Sequence, residues 1–190
     1  MTETLKNLSK AFAGESMARN RYTYYAKVAK KEGYEQIGDI FLLTAEQEKQ
    51  HAKWLLRLIN EIKTSDEDIE IETPVPNIFG TTEENLQAAI DGENHEHTSM
   101  YPTFADIAEK EGHGEIAKRL RAIAVAENHH EERFQKLLDQ LKAKTVFKKD
   151  KKTWWTCKEC GYMYEDEEAL TICPSCDHEQ AFQEVKCEEY

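Results

Sequence analysis

Four glutamates stand where apolar residues belong. In this chain of 190 residues, four segments repeat apolar residues at steps of three and four. That is the period of a helix with one buried face. The first segment, about residues 3–32, carries Leu5, Leu8, Phe12, Glu15, Tyr22, Ala26 and Ala29 on that face. The second, 35–63, carries Ile37, Phe41, Thr44, Glu48, His51, Leu55, Leu58 and Ile62. The third, 82–111, carries Leu86, Ile90, Glu93, Met100, Phe104 and Ile107. The fourth, 114–143, carries Ile116, Leu120, Ile123, Glu127, His130, Phe134, Leu137 and Leu141. Gly33 and Gly112 are stop signals for the first and third helices, and Thr81 with Glu84 forms a capping-box signature for the third. The segment 64–80, with Pro74 and Pro76, is the one long connection. Short, long and short loops predict an all-α four-helix bundle with a single crossover.

A carboxylate is very costly in a core unless it is paired or bound to a cation, and four at one level would repel each other. Each stripe carries its Glu near the middle, and the second and fourth add a His one turn later, at His51 and His130. A Glu from each of two helices plus Glu-x-x-His from the other two is the ferritin-like di-iron or di-manganese pattern. A spacing of three puts the Glu and His of each pair on one helix face. One such pair is a weak signal, but two on matching halves, each opposite a stripe Glu, are specific. Glu131 and Glu132 fall off the stripe and read as bland surface residues, and His129 points beside it. His95 and His113 have no partner pattern; His97 is retained as a group able to support a ligand.

The two halves repeat. AKVAKKEGYEQI (26–37) matches ADIAEKEGHGEI (105–116), and Glu48 and His51 map onto Glu127 and His130 at the same offset. Gly14-Glu15 maps onto Gly92-Glu93 at an offset one residue shorter, so the third helix holds an extra residue between Glu93 and Ala105, around Pro102. An extra residue with a helix-interior proline predicts a π-bulge or kink there. The halves differ again at Glu96, one turn after Glu93, where the first helix has only Met17 and Ala18. Two ferrous ions are balanced by four glutamates, whereas two ferric ions call for a fifth carboxylate. Charge matching in a low-dielectric core therefore favours Glu96 on the oxidised site and His51 on the reduced one.

The chain changes character near residue 145. After a lysine-rich joint comes a tail, Thr153 to Tyr190, with ten acidic and two basic residues out of a whole-chain net charge of −12. The predicted organisation is a bundle over 1–145, a linker over 146–152 and a small metal-stabilised domain over 153–190. The acidic balance argues against bulk attraction to nucleic acid or anionic membrane, and no apolar run is long enough to span a bilayer. The first residues lack a signal-peptide pattern, so a cytoplasmic address is the default expectation. That compartment favours metal ligation over disulfides. Cys157, Cys160, Cys173 and Cys176 form two C-x-x-C pairs suited to a tetrahedral four-thiolate site. Spacing leaves a structural zinc ribbon open, but the gap is shorter than the usual zinc spacing and favours a single redox iron. Trp154, Trp155, Tyr162, Tyr164 and Phe182 are its expected aromatic core, and Cys187 stands outside the pairs as a structural or stray thiol.

Together these motifs resemble the rubrerythrin family over essentially the whole chain: AGESMARNRYTYY, AEQEKQHAKW, GENHEHTSMYP, AENHHEERF, then the rubredoxin-like CKECGY and CPSC. The resemblance implies a cytoplasmic peroxide reductase that protects against oxidative stress by reducing hydrogen peroxide to water. It implies two irons in a carboxylate-bridged site and one in the four-cysteine site, where zinc is an alternative in a recombinant preparation. By resemblance Glu48 and Glu127 bridge the irons. Glu15 is terminal on one, with Glu96 or His51 as its exchangeable ligand, and Glu93 and His130 hold the other. Tyr22 and Tyr101 match family tyrosines that hydrogen-bond a ligand or help deliver a proton. An electron donor such as rubredoxin or a flavoprotein NAD(P)H reductase is the implied partner. The fourth helix runs on some fourteen residues past His130, roughly 21 Å, so the tail of one subunit is expected to serve another in a head-to-tail homodimer. Asp177 departs from free-standing rubredoxins, which usually carry glycine there. Two rival functions remain: an iron-oxidising storage protein, in which a fused electron-transfer module has no obvious use, and a zinc-ribbon binding or sensing module.

Overall fold

The computed structural model describes residues 1–186, so Cys187 lies outside the described residues. Four antiparallel rods form the bundle. They are α1 (Glu3–Lys31), α2 (Glu35–Ile62), a third rod made of α3 (Thr82–His95), a π-helical turn (Glu96–Met100) and α4 (Tyr101–Lys110), and finally α5 (Gly114–Lys142). The ends form as the residues dictate. Thr81 and Glu84 make the reciprocal capping box that opens α3. Gly33 and Gly112 close α1 and α4 with φ of 87° and 86°, a conformation that costs other residues strain.

The inserted residue between Glu93 and Ala105 is absorbed in the π-helical turn, and Pro102 follows directly in the first turn of α4. The bulge also rotates the rest of the rod. The stripe predicted at Met100, Phe104 and Ile107 is only half-buried, and Tyr101, Ala105 and Ala108 face the core instead. A helix that gains one residue turns by about 100°, so every later position moves one place along the sequence.

Two apolar clusters fill the bundle. One gathers Leu5, Leu8, Leu55, Tyr101, Ile116 and Leu120 at one end; the other gathers Tyr22, Tyr25, Phe41, Leu86, Phe134 and Leu138 at the other. The four stripe glutamates lie between these clusters on every rod. The crossover runs without regular structure past α1, where Tyr25 Oη donates to the Ile78 carbonyl at 2.7 Å.

The small domain is a three-stranded antiparallel sheet in the order β2 (Met163–Glu168), β1 (Lys148–Cys157), β3 (Gln183–Val185). Strand β1 begins inside the lysine-rich joint, with Lys148 opposite Glu168 and an irregularity before Thr153. Of the expected aromatic core only Trp155 is fully buried, while Trp154 and Tyr162 are exposed. The strand alternation explains this: Trp155 and Cys157 share the inner face, and Trp154 must then point out. The module rests on the bundle end. Lys158 Nζ lies 3.1 Å from Glu35 and also pairs with Asp39, and Phe147 stacks on Tyr34.

Candidate metal centres

The middle of the bundle gathers six of the predicted ligands into two overlapping groups. Glu15, Glu48, His51 and Glu127 form one, and Glu48, Glu93, Glu127 and His130 the other. Glu48 and Glu127 belong to both. Each rod contributes, and the Glu-x-x-His pairs of α2 and α5 face each other with their rings 6.0 Å apart.

His51 Nδ1 lies 2.9 Å from Glu127 Oε1 and 3.0 Å from Glu48 Oε2. His130 Nδ1 lies 2.8 Å from Glu127 Oε2 and 3.0 Å from Glu48 Oε1. These separations are short, yet Glu48 Oε1, Glu93 Oε2, both Glu127 oxygens and His130 Nδ1 are buried without a hydrogen-bond partner. Their lone pairs converge on shared points instead of on each other's protons. An orphaned buried polar atom is rare in a native protein, and six neighbouring residues that supply several of them fit a pair of cations.

The charges agree. Burial, then the charges of Glu127 and Glu48, pushes the Glu15 carboxyl well above its ordinary range. Burial likewise lifts Glu93 to about 8. Burial would raise Glu48 as well, but the neighbouring imidazoles of His130 and His51 outweigh it and hold that carboxyl at about 2. Burial alone would lower His130, but Glu127 and Glu48 push it up to about 12, and His51 is raised well above its usual value in the same way. Without cations the cluster keeps its balance only by holding protons.

Two buried tyrosines orient the carboxylates. Tyr22 Oη donates to Glu93 Oε1 at 2.6 Å, and Tyr101 Oη donates to Glu15 Oε1. Burial followed by the neighbouring carboxylates raises both phenols well above their ordinary value, so both remain donors. Glu96 opens the π-helical turn and is half-buried, outside both converging groups. It is near enough that Glu93 and Glu15, after burial, raise its carboxyl. His51, by contrast, lies inside the first group.

Sequence reasoning set aside Glu131, yet the structure joins it to the site's frame. Its carboxylate meets His97 Nε2 at 2.5 Å and accepts from Asn94 Nδ2 at 3.1 Å. This clasp fixes the backbone on both sides of Glu96 to α5. Its only sequence signal was adjacency to His130, because the partner faces depend on the bulge. Arg133 ties α5 to Thr44 and Gln47 of α2, at 2.6 Å and 3.0 Å. His129 and His95 are exposed.

In the small domain Cys157 Sγ and Cys176 Sγ are 3.7 Å apart, and Cys160 Sγ and Cys173 Sγ 3.6 Å. All four thiols are free of disulfides. A tetrahedron with metal–sulfur bonds of about 2.3 Å has edges of about 3.8 Å, so the spacing fits one metal ion. The Tyr162 backbone N–H holds the Cys160 thiol down to about 6. Asp177 takes φ 59° where Gly161, its counterpart on the first knuckle, takes 75°. The substitution of Asp for glycine thus sits in a left-handed turn, which Asp tolerates better than most residues.

A family model described as Rubrerythrin matches residues 6–138, more than half of the chain. The chain belongs to the rubrerythrin family. A second family model, "Rubrerythrin, rubredoxin-like domain", matches residues 155–183. The chain is 60% identical to a putative rubrerythrin of Methanocaldococcus jannaschii, over all of this chain and 96% of that one. It is 45% identical to a rubrerythrin of Nitratidesulfovibrio vulgaris, over 97% of this chain and 94% of the other. A solved structure described as the fully reduced, all-ferrous state of nigerythrin superposes with a TM-score of 0.66 at 30% identity, covering 98% of this chain and 88% of that one. Rubrerythrins bind iron, so the paired carboxylate–histidine groups are the candidate di-iron site and the four thiols the candidate rubredoxin-like iron site. The ferritin-like bundle and the metal-stabilised C-terminal domain stand as the sequence indicated. Among the described residues, no helix is long and apolar enough to cross a membrane.

Proposed function

We propose that this rubrerythrin-family protein is a cytoplasmic peroxide reductase that uses two electrons and two protons to convert hydrogen peroxide into two waters. The observation that supports this most is the union, in one chain, of a buried pair of metal sites and a separate four-thiolate site. A storage or binding protein has no use for the second. A bound ferrous pair supplies the two electrons that O–O cleavage takes up and acts as a Lewis acid toward both oxygens.

The chain's own residues do the rest. Glu15, Glu48, Glu93, Glu127 and His130 would hold the pair, with His51 or Glu96 as the exchangeable ligand. Tyr22 and Tyr101 keep Glu93 and Glu15 aimed and hold protons at their hydroxyls. The two apolar clusters exclude bulk water above and below. Electrons enter at the four-thiolate module from a rubredoxin or a flavoprotein NAD(P)H reductase. That module sits near Glu35, and Glu48 lies thirteen residues farther along α2, roughly 20 Å at 1.5 Å per residue. So long a gap supports delivery to the site of a second copy in a head-to-tail homodimer.

The test is donor-driven peroxide consumption by the intact chain and by one ending after Lys144. Truncation should abolish steady turnover and leave a single peroxide reduced after chemical reduction of the bundle. Undiminished turnover in the truncated chain would remove the module as the electron inlet.

A further inference from the structure

Between α1, the crossover and the α3–π–α4 rod lies a cavity of about 570 Å³. Met17, Pro74, Pro76, Ile78, Met100 and Phe104 give it an apolar wall. Glu96, the residue that stands beside the di-iron ligands without joining them, also lines it. The cavity therefore borders the site at Glu96, and none of the six converging ligands lines it.

Its size is the anomaly. A water's share of liquid volume is about 30 Å³, and hydrogen peroxide has only one more heavy atom. Cavities of roughly 300–1,000 Å³ enclose organic ligands of many heavy atoms. The space is also kept open by residue choice. Gly14 and Gly92 line the cavity from α1 and α3, one residue before Glu15 and Glu93. Neither has a positive φ, and a β-carbon on either would meet no heavy atom within 4 Å. Glycine inside a helix is a loss of stability relative to alanine, and nothing in the folded chain crowds these two positions. What they provide is room.

We propose that this cavity receives the apolar body of an organic hydroperoxide and presents its O–OH end to the di-iron site past Glu96. The inference rests on the peroxidase reading and extends its substrate class. The reaction is ROOH plus two electrons and two protons giving ROH and water. The O–O bond breaks, each oxygen takes up one proton, and the electrons come from the same flavoprotein or small iron–sulfur donor. The apolar wall gains from an alkyl or aryl group what hydrogen peroxide cannot offer.

The test compares hydrogen peroxide with cumene hydroperoxide on the iron-loaded full chain, with Gly14→Leu and Gly92→Leu as cavity-filling variants and the two Ala replacements as smaller steps. For cumene hydroperoxide kcat/KM should fall by about ten-fold or more in the Leu variants, with a lesser fall in the Ala variants. Turnover of hydrogen peroxide should stay unchanged. Calorimetry supplies a readout apart from turnover: 2-phenyl-2-propanol, the alcohol product, should bind the parent protein and not Gly92→Leu. Reduction of hydrogen peroxide without any reduction of cumene hydroperoxide overturns the inference and spares the peroxidase reading. Turnover of neither peroxide removes both. Leu variants that split the oligomer while leaving the preference between peroxides unchanged would assign the cavity to a contact between copies and overturn the proposal.

Discussion

In the bundle, metal ligands come from rods spread between Glu15 and His130; in the module, all four come from two turns between Cys157 and Cys176. The difference extends to what surrounds them. The bundle site is sandwiched between two apolar clusters that would hold the helices together without it. Besides Cys157 and Cys173, the module buries only Trp155, Ala169 and Gln183 among the described residues. Metal at the first site neutralises a charge problem that the fold creates. At the second it stands in for the missing core.

The largest effect that would break this contrast is metal removal. Chelation should unfold the module, since binding to a site of this kind contributes about 10–16 kcal/mol of apparent free energy. The bundle should keep its helices. Far-ultraviolet circular dichroism should change little while Trp155 fluorescence shifts to that of an exposed indole. Simultaneous loss of both signals would show that the bundle also depends on its metals.

Next in size is the complementary change. Phe134, fully buried between Tyr22 and Phe41 with centroids 5.4 Å and 5.0 Å away, anchors one apolar cluster. Phe134→Ala should destabilise the bundle by about 3–5 kcal/mol and leave the red absorption of an iron-loaded module unchanged. Calorimetry with the visible spectrum recorded in parallel decides it.

A smaller effect sharpens the description of the module. Asp177 holds a left-handed turn that glycine adopts without strain. Asp177→Gly should therefore raise the module's resistance to metal loss, by about 0.5–1 kcal/mol or less. Competition with a chelator measures it, and a destabilised variant would show that the Asp side chain contributes something beyond the backbone.

The smallest effect concerns the seam between the regions. Partial burial pushes the Glu35 and Asp39 carboxyls up, but the ammonium groups of Lys30 and Lys158 outweigh it and leave both below their ordinary values. A depressed carboxyl stabilises the folded form above its unfolded pKa and loses that contribution as pH falls through the folded value. Docking of the module should thus be intact at neutral pH and loosen as pH falls below about 4. Amide exchange at 146–148 should report the loosening, and Lys158→Met should flatten the pH dependence. Equal protection at both pH values would leave the Tyr34–Phe147 stack as the main contact.

Much of this was legible because it is local. Helical period, the Thr81 capping signal, the glycine stops and the Glu-x-x-His pairs are short-range patterns, and the internal repeat exposed the extra residue that became the π-helical turn. The consequence of that residue was harder to see. It moved the buried face from Phe104 and Ile107 to Ala105 and Ala108, and it set His97 and Asn94 against Glu131. Strand alternation likewise turned Trp154 outward once Trp155 had faced in.

By itself, then, the sequence determined that four rods would bury four carboxylates and two imidazoles at one level, because no other arrangement of those stripes satisfies both apolar burial and charge. It also determined that four thiols would meet around one ion. Only the tertiary structure decided which groups share a centre, with His51 inside and Glu96 beside it, and which tyrosine aims which carboxylate. It alone decided that Gly14 and Gly92 border the same cavity. Those outcomes depend on the rotation of one helix against another, a quantity that one chain's periodicity leaves free until the faces pack.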